Sequence, residues 1–260
     1  MSAESTRLPG IAPQTVAPEK AKYTAGRTSV LYGLSGVTFL LVVMGVILAL
    51  TYAGQDSAQG DVQRIFYTHI SSFFGAFIAF CVTVVGGVQY LRTRNPKWDT
   101  LALAGVEVGL VFAFINLATG SIWARPIWNT WWTWDPRLTS AAVSFLTYAA
   151  YLMLRSGIEN VENRRRFASV YGIFAIVTAI FTLIIIRIRP DTIHPAVIGS
   201  SPASSTTGGF KMPREMLTTM SYTLMVWAVL LTPVLIWWRV RLENTMESLR
   251  QRRADILGDA

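Results

Sequence analysis

Residues 101–137 read LALAGVEVGLVFAFINLATGSIWARPIWNTWWTWDPR, and the stretch changes character once along its length. From Leu101 to Ile122 the only charged residue is Glu107. A helix needs about 20 consecutive, mainly apolar residues to cross the hydrocarbon core of a bilayer. Beyond Ile122 the aliphatic side chains give way to tryptophan. Trp123, Trp128, Trp131, Trp132 and Trp134 are five of the nine tryptophans in the chain, and the stretch then closes on Asp135, Pro136 and Arg137. An apolar span delivers an aromatic segment to a membrane surface, and that reading sets the frame for the rest of the sequence.

Working outward, the same kind of run recurs at about 29–52, 65–91, 98–122, 138–154, 167–186 and 216–238, the fourth being the shortest. The chain is 52% hydrophobic and 15% charged, against about 25% charged in an average soluble domain. The fold expected is an all-α integral membrane protein of six transmembrane helices. Lys and Arg cluster between the apolar runs, which carries topology information and argues against nucleic-acid binding despite the net charge of +8. With both termini in the cytoplasm, sixteen of the 23 basic residues fall on that side and seven on the other. This choice puts the connections 53–64, 123–137 and 187–215 on the outer face.

Three regions follow: a flexible cytoplasmic tail (1–28), a six-helix membrane domain (29–240) with the tryptophan loop at 119–140, and a cytoplasmic C-terminal helix or tail (241–260). The tail holds Pro9, Pro13 and Pro18 and has no apolar signal-peptide core of its own. The third outer connection contains SSPASSTTGG, a flexible composition with little capacity to pack. RLENTMESLRQRRADIL has helical spacing and is expected to prolong the sixth helix. Cys81 is the single cysteine, so no disulfide framework or thiol pair is available within the chain.

The chain has only two histidines, His69 within IFYTHISS and His194 within RPDTIHPAV. In the topology above both belong to the outer face, beside the tryptophan loop. Each signal has a plain structural reading, since Trp is enriched at membrane interfaces and an imidazole at a helix end is a common interfacial group. That reading covers Trp98, Trp237 and Trp238 at the opposite end. The loop allows a second one. Pro126 and Pro136 bracket a segment too short to span, in which Trp128, Trp131, Trp132 and Asp135 stand at i, i+3, i+4 and i+7, one face if it is helical. Such a shelf suits a large, flat, apolar ligand that carries some charge. Two imidazoles on the same side can ligate a metal held in that ligand, and porphyrin iron meets the description, its propionates wanting basic partners.

GSIWARPIWNTWWTWDPRLTS closely resembles the tryptophan-rich "WWD" signature of the cytochrome c maturation haem-handling family, the CcmC/CcsA type. VQRIFYTHISS, DTIHPAV and KMPREML extend the likeness to the CcmC branch over roughly residues 30–240. The resemblance implies haem-handling loops on the outer, extracytoplasmic face. It implies b-type haem held non-covalently in transit, with His69 and His194 as axial ligands of the iron. It makes 123–137 the haem-contacting segment, with Trp123, Trp128, Trp131, Trp132, Trp134, Asp135, Arg125 and Arg137 as candidate contacts. It further implies the inner membrane of a prokaryote or a derived organelle membrane. The partners implied are ABC-transporter subunits, a small helper membrane subunit and a periplasmic, CcmE-like haem chaperone, with no nucleic acid. The chain departs from the family in Ile70-Ser71-Ser72 after the first histidine and in Arg187, Arg189, Pro190 and Asp191 before the second.

Other residues have plainer readings. Glu107 is expected to make a helix–helix hydrogen bond, to Asn116 or a neighbouring hydroxyl, with a haem or proton path as the alternative. Arg64, Arg125 and Arg137 are outer-face bases available to propionates, and Arg137 can equally pair with Asp135. Arg187 and Arg189 can simply snorkel at a helix end. GxxxxGK[ST] is absent, so ATP hydrolysis, if involved, belongs to a partner. The function expected is haem capture and transfer, with no turnover reaction of its own. The rivals are a haem b quinol or electron-transfer subunit, a haem–cytochrome c synthase core, and a transporter that carries haem across the bilayer.

Overall fold

The computed structural model describes residues 19–189, 191–194 and 212–258, and these form a helical bundle. Its helices are α1 (Glu19–Thr51), α2 (Ile65–Thr93), α3 (Pro96–Trp128), α4 (Pro136–Ser156), α5 (Val161–Ile188), α6 (Arg214–Met225) and α7 (Thr232–Gly258). A 3-10 turn, Asp61–Arg64, leads into α2, and a π turn, Val226–Leu231, joins α6 and α7 into one rod. The expected continuation of the last helix through RLENTMESLRQRRADIL is present. The helix at the N-terminal end begins at Glu19, ten residues ahead of the apolar run. Residues 1–18 and the Ser/Thr/Gly-rich piece at 200–209 lie outside the described residues.

Local signals account for the breaks. Arg94 takes up left-handed backbone, φ 57°, to end α2, and the Asn95 side chain accepts from the Lys97 amide at 3.1 Å to start α3 at Pro96. Asn160 does the same for α5, accepting from the Asn163 amide at 2.9 Å. The π turn falls where Pro233 has no amide proton for the preceding turn, and the Thr232 hydroxyl donates to the Trp227 carbonyl at 2.7 Å.

Among the described residues, five helices are long and apolar enough to cross a membrane: Thr28–Thr51, Asp61–Thr93, Pro96–Trp128, Val161–Ile188 and Arg214–Gly258. The chain is therefore a multi-pass membrane protein. α4 is not among the five. Its 21 residues are long enough at about 1.5 Å each, but Ser, Thr and two arginines dilute it. Outward apolar side chains such as Phe39 and Leu40 on α1 or Phe174 on α5 are exposed, as lipid contact requires.

The centre of the bundle is the α2–α3 pair, which packs through small residues. A Cβ on Gly105 would lie 2.6 Å from the Ala79 carbonyl, and one on Gly86 would lie 2.7 Å from the Trp98 carbonyl. The two backbones approach too closely for any larger side chain at these positions. α4 and α5 close on this pair, with the Phe80 ring stacked on Tyr148 at 3.5 Å. Ion pairs tie helices together towards the end of the bundle away from the histidines. Arg155 of α4 donates to both oxygens of buried Asp99, at 2.5 and 2.9 Å. Glu107 of α3 pairs with Arg239 of α7, one bond being 3.0 Å. Glu107 thus does link two helices, but its partner is Arg239 and not Asn116.

Candidate functional site

The two histidines meet where the N-termini of α2 and α4 adjoin the C-termini of α3 and α5. His69 is the fifth residue of α2 and is buried. Its Nδ1 lies 3.0 Å from the Asn116 carbonyl of α3. A carbonyl can only accept, so Nδ1 carries the proton and Nε2 keeps its lone pair, the state in which an imidazole ligates a metal. The Asn116 amide returns the contact, donating to the His69 carbonyl at 2.8 Å. Gly120, one turn further along α3, walls the ring, because a Cβ there would sit 3.0 Å from His69 Cε1. Another turn on, Trp123 meets His69 edge to face at 5.8 Å, and its indole N–H donates to Gln59 at 2.9 Å. Asn116, Gly120 and Trp123 are spaced i, i+4, i+7, one stripe of α3 turned to one imidazole.

The tryptophan segment is not one helical face. α3 runs through Pro126 and ends at Trp128, where Asn129 adopts left-handed backbone, φ 55°. Residues 129–135 are non-helical until Asp135 caps α4. Proline at an internal position costs a helix one hydrogen bond, and α3 goes only two residues beyond Pro126. Trp128 therefore ends one helix and Asp135 begins the next. Arg125 closes the first end, donating to the carbonyl and side-chain oxygen of Asn129 at 2.7 Å each. Trp131 and Trp134 point outward, 59% and 79% exposed, and Trp132 packs against Trp134 at 5.8 Å. The buried Trp132 indole N–H has no hydrogen-bond partner among the described residues.

Asp135 joins this segment to His194. Its Oδ1 accepts from the amides of Arg137 and Leu138 at 2.9 Å each. Its Oδ2 accepts from the Thr192 hydroxyl and, at 3.0 Å, from the Ile193 amide. The His194 amide donates in turn to Thr192 Oγ1 at 3.2 Å. His194 is buried, its ring centroid 6.2 Å from that of His69 and 6.3 Å from that of Trp128. The guanidinium of Arg137 lies 5.6 Å over the Phe73 ring, and Arg137 acts electrostatically on His69. On the outside, Arg189 and Asp191 pair at 2.6 Å.

The spacing of the imidazoles can be tested against shared coordination. A metal–imidazole bond of about 2 Å, with about 1.1 Å from nitrogen to ring centre, puts the centroids of two trans imidazoles about 6 Å apart. The pair has that spacing. No group of three His, Cys, Asp or Glu able to hold a metal ion occurs among the described residues. Two imidazoles at this spacing, without a third protein donor among the described residues, would suit a metal whose remaining positions are filled by its own macrocycle. Sequence reasoning found His69, His194, Trp123, Trp128 and Asp135, which converge here. It did not assign Gln59, Gly120 or Thr192, and it gave Asn116 to Glu107. The i, i+4, i+7 stripe ending at Trp123 was the available signal for two of these.

The model of the family described as Heme exporter protein C matches residues 14–255. Heme exporter protein C of Bradyrhizobium diazoefficiens is 30% identical over 196 residues, 74% of this chain and 73% of that protein. Its namesake in Rhodobacter capsulatus is 29% identical over 64% of this chain and 67% of its own length. A ccmC-like mitochondrial protein of Marchantia polymorpha, named for cytochrome c biosynthesis, is 30% identical over 50% of this chain and 57% of its own.

Proposed function

The chain belongs to the Heme exporter protein C family, and on that premise we propose that it takes up haem between His69 and His194 and passes it on during cytochrome c maturation. The observation that carries the reading is the imidazole pair at 6.2 Å, with His69 Nδ1 committed to the Asn116 carbonyl. Neutral imidazole nitrogens are common haem iron ligands, and the hydrogen bond on the far nitrogen orients the ring. Exposed Trp131 and Trp134 offer aromatic surface to the macrocycle, and Arg137 offers a cation to a propionate. The site lies at a helix-end rim, not inside the bundle, which suits delivery better than permanent storage. Its work is binding and release, without a turnover reaction.

The bias of Lys and Arg supports cytoplasmic termini, six spans including α4, and a histidine face turned outward. On that orientation the acceptor is a haem chaperone outside the membrane, and ATP hydrolysis is left to ABC-transporter partners. The membrane is an inner or organelle membrane. The test is to purify the full-length protein from cells making haem and to record its visible spectrum. Six-coordinate, low-spin haem lost in His69→Ala and His194→Ala is the expected result. A protein that takes up no haem under any co-expression condition overturns the reading.

A further inference from the structure

We propose that Asp135, acting through Thr192, is a latch that holds His194 opposite His69, which makes His194 the ligand that lets go and His69 the one that stays. This rests on the haem-binding reading above and assigns different roles to the two ligands. His69 is fixed by elements that cannot shift alone. Its ring bonds to the Asn116 carbonyl, its own carbonyl accepts from the Asn116 side chain, and Gly120 bounds it. All three contacts bridge α2 and α3, the pair whose backbones meet at Gly105 and Gly86. Moving His69 means moving the centre of the bundle.

His194 is positioned differently. Residues 191–194 are non-helical, and a hydrogen-bond relay joins their backbone to the Asp135 carboxylate. Asp135 Oδ2 accepts from the Thr192 hydroxyl and the Ile193 amide, and Thr192 Oγ1 accepts from the His194 amide. An ionised carboxylate has about four acceptor sites. Asp135 uses four, two for the start of α4 and two for the His194 segment. It is buried and saturated, so its role is to position His194 and not to touch the cargo. The same carboxylate ends the tryptophan segment. A partner that displaces that segment pulls on Asp135, and Asp135 carries the pull to Thr192 and His194. In the release step the iron–nitrogen bond to His194 breaks and a bond to an incoming donor forms. One neutral donor replaces another, with no oxidant or reductant required.

Thr192 is the position to vary, because Asp135 also caps α4. Thr192→Val removes both the donor to Asp135 and the acceptor for the His194 amide at nearly constant shape. Thr192→Ser keeps both. Full-length protein loaded with haem is examined for spin state, for response to added imidazole, and for haem loss to excess apomyoglobin. Thr192→Val is expected to retain haem as a five-coordinate, high-spin species that imidazole returns to low spin. Its haem should leave about tenfold faster than from Thr192→Ser, since a buried hydrogen bond to a charged group is lost. Thr192→Ser should match the unmodified protein and so control for folding. A Thr192→Val spectrum identical to Thr192→Ser overturns the latch. Complete loss of haem from Thr192→Val, with imidazole unable to restore low spin, overturns the division between a staying and a leaving ligand. If neither the unmodified protein nor Thr192→Ser binds haem, the haem-binding reading itself has failed, and the latch with it.

Discussion

His69 and His194 are matched in burial and face each other, yet they are held by opposite means. His69 stands on a helix whose packing partner supplies a carbonyl, an amide and a glycine gap. His194 stands outside any helix, on backbone joined to the bundle by a carboxylate relay. The first environment is redundant and rigid, because its contacts come with helix packing that the fold needs anyway. The second includes a hydrogen-bond relay outside any helix, and such bonds can be undone without unfolding the bundle. A protein that must bind a cofactor firmly enough to capture it and loosely enough to surrender it gains from such asymmetry.

The largest effect should come from breaking the rigid side. In Gly105→Val the first added carbon falls 2.6 Å from the Ala79 carbonyl and from Thr83 Oγ1. Overpacking of this kind costs about 1–3 kcal/mol or more, and here backbone must move. Thermal unfolding in detergent should show a loss on that scale, with haem loading falling in parallel because His69 and Asn116 separate. Unchanged thermal stability would mean that the α2–α3 seam is not what fixes His69.

Next in size is Asp135→Ala, which removes the cap of α4 and the latch together. Loss of an N-cap costs about 0.5–2 kcal/mol, and the Thr192 hydroxyl and Ile193 amide lose their shared acceptor as well. The spectrum should change as in Thr192→Val, but with a larger stability loss, because the cap of α4 goes as well. Equal stability in the two variants would show that Asp135 does not cap α4 in solution. Gly120→Ala should be milder. Its Cβ would lie 3.0 Å from His69 Cε1, so the ring must tilt by a few tenths of an ångström. Unfolding should barely change, while haem leaves faster with His69 as the strained ligand.

These contrasts also mark what could be read from the sequence. Apolar runs report on solvent, so five of the six expected spans and the end at which His69, His194 and the tryptophans collect were legible in composition and order. The tryptophan loop was misread as a helical face because i, i+3, i+4, i+7 spacing is necessary for such a face but not sufficient. Nothing local says that α3 tolerates Pro126 and stops at Trp128. The run at 138–154 reads as a sixth span, but α4, diluted by Ser, Thr and Arg, is not among the helices long and apolar enough to cross. Asp135 caps α4 with one oxygen, but its other oxygen bonds residues 57 and 58 positions away. Glu107 and Arg239 are likewise 132 positions apart. Pairings of that range depend on how helices dock, which periodicity does not encode.

The smallest effect sharpens the comparison most closely, because it lies on the same segment as His194. Arg189 and Asp191 pair in solvent at 2.6 Å just ahead of the latch. Exposed pairs are screened and contribute little. Asp191→Asn should therefore leave spin state unchanged and haem release within about twofold, in contrast to Thr192→Val one residue later. Acidity gives an independent check. The Arg189 hydrogen bond holds the Asp191 carboxyl below the usual carboxylate range. A depressed carboxylate adds its stability above its unfolded pKa, about 3.9, and loses it only as pH falls through the lower folded value. The pair is thus intact from pH 8 to pH 5, and any change of His194 ligation in that window has another origin. If Asp191→Asn reproduces the Thr192→Val spectrum at neutral pH, His194 is held from the solvent side, and the buried relay through Asp135 is not what positions it.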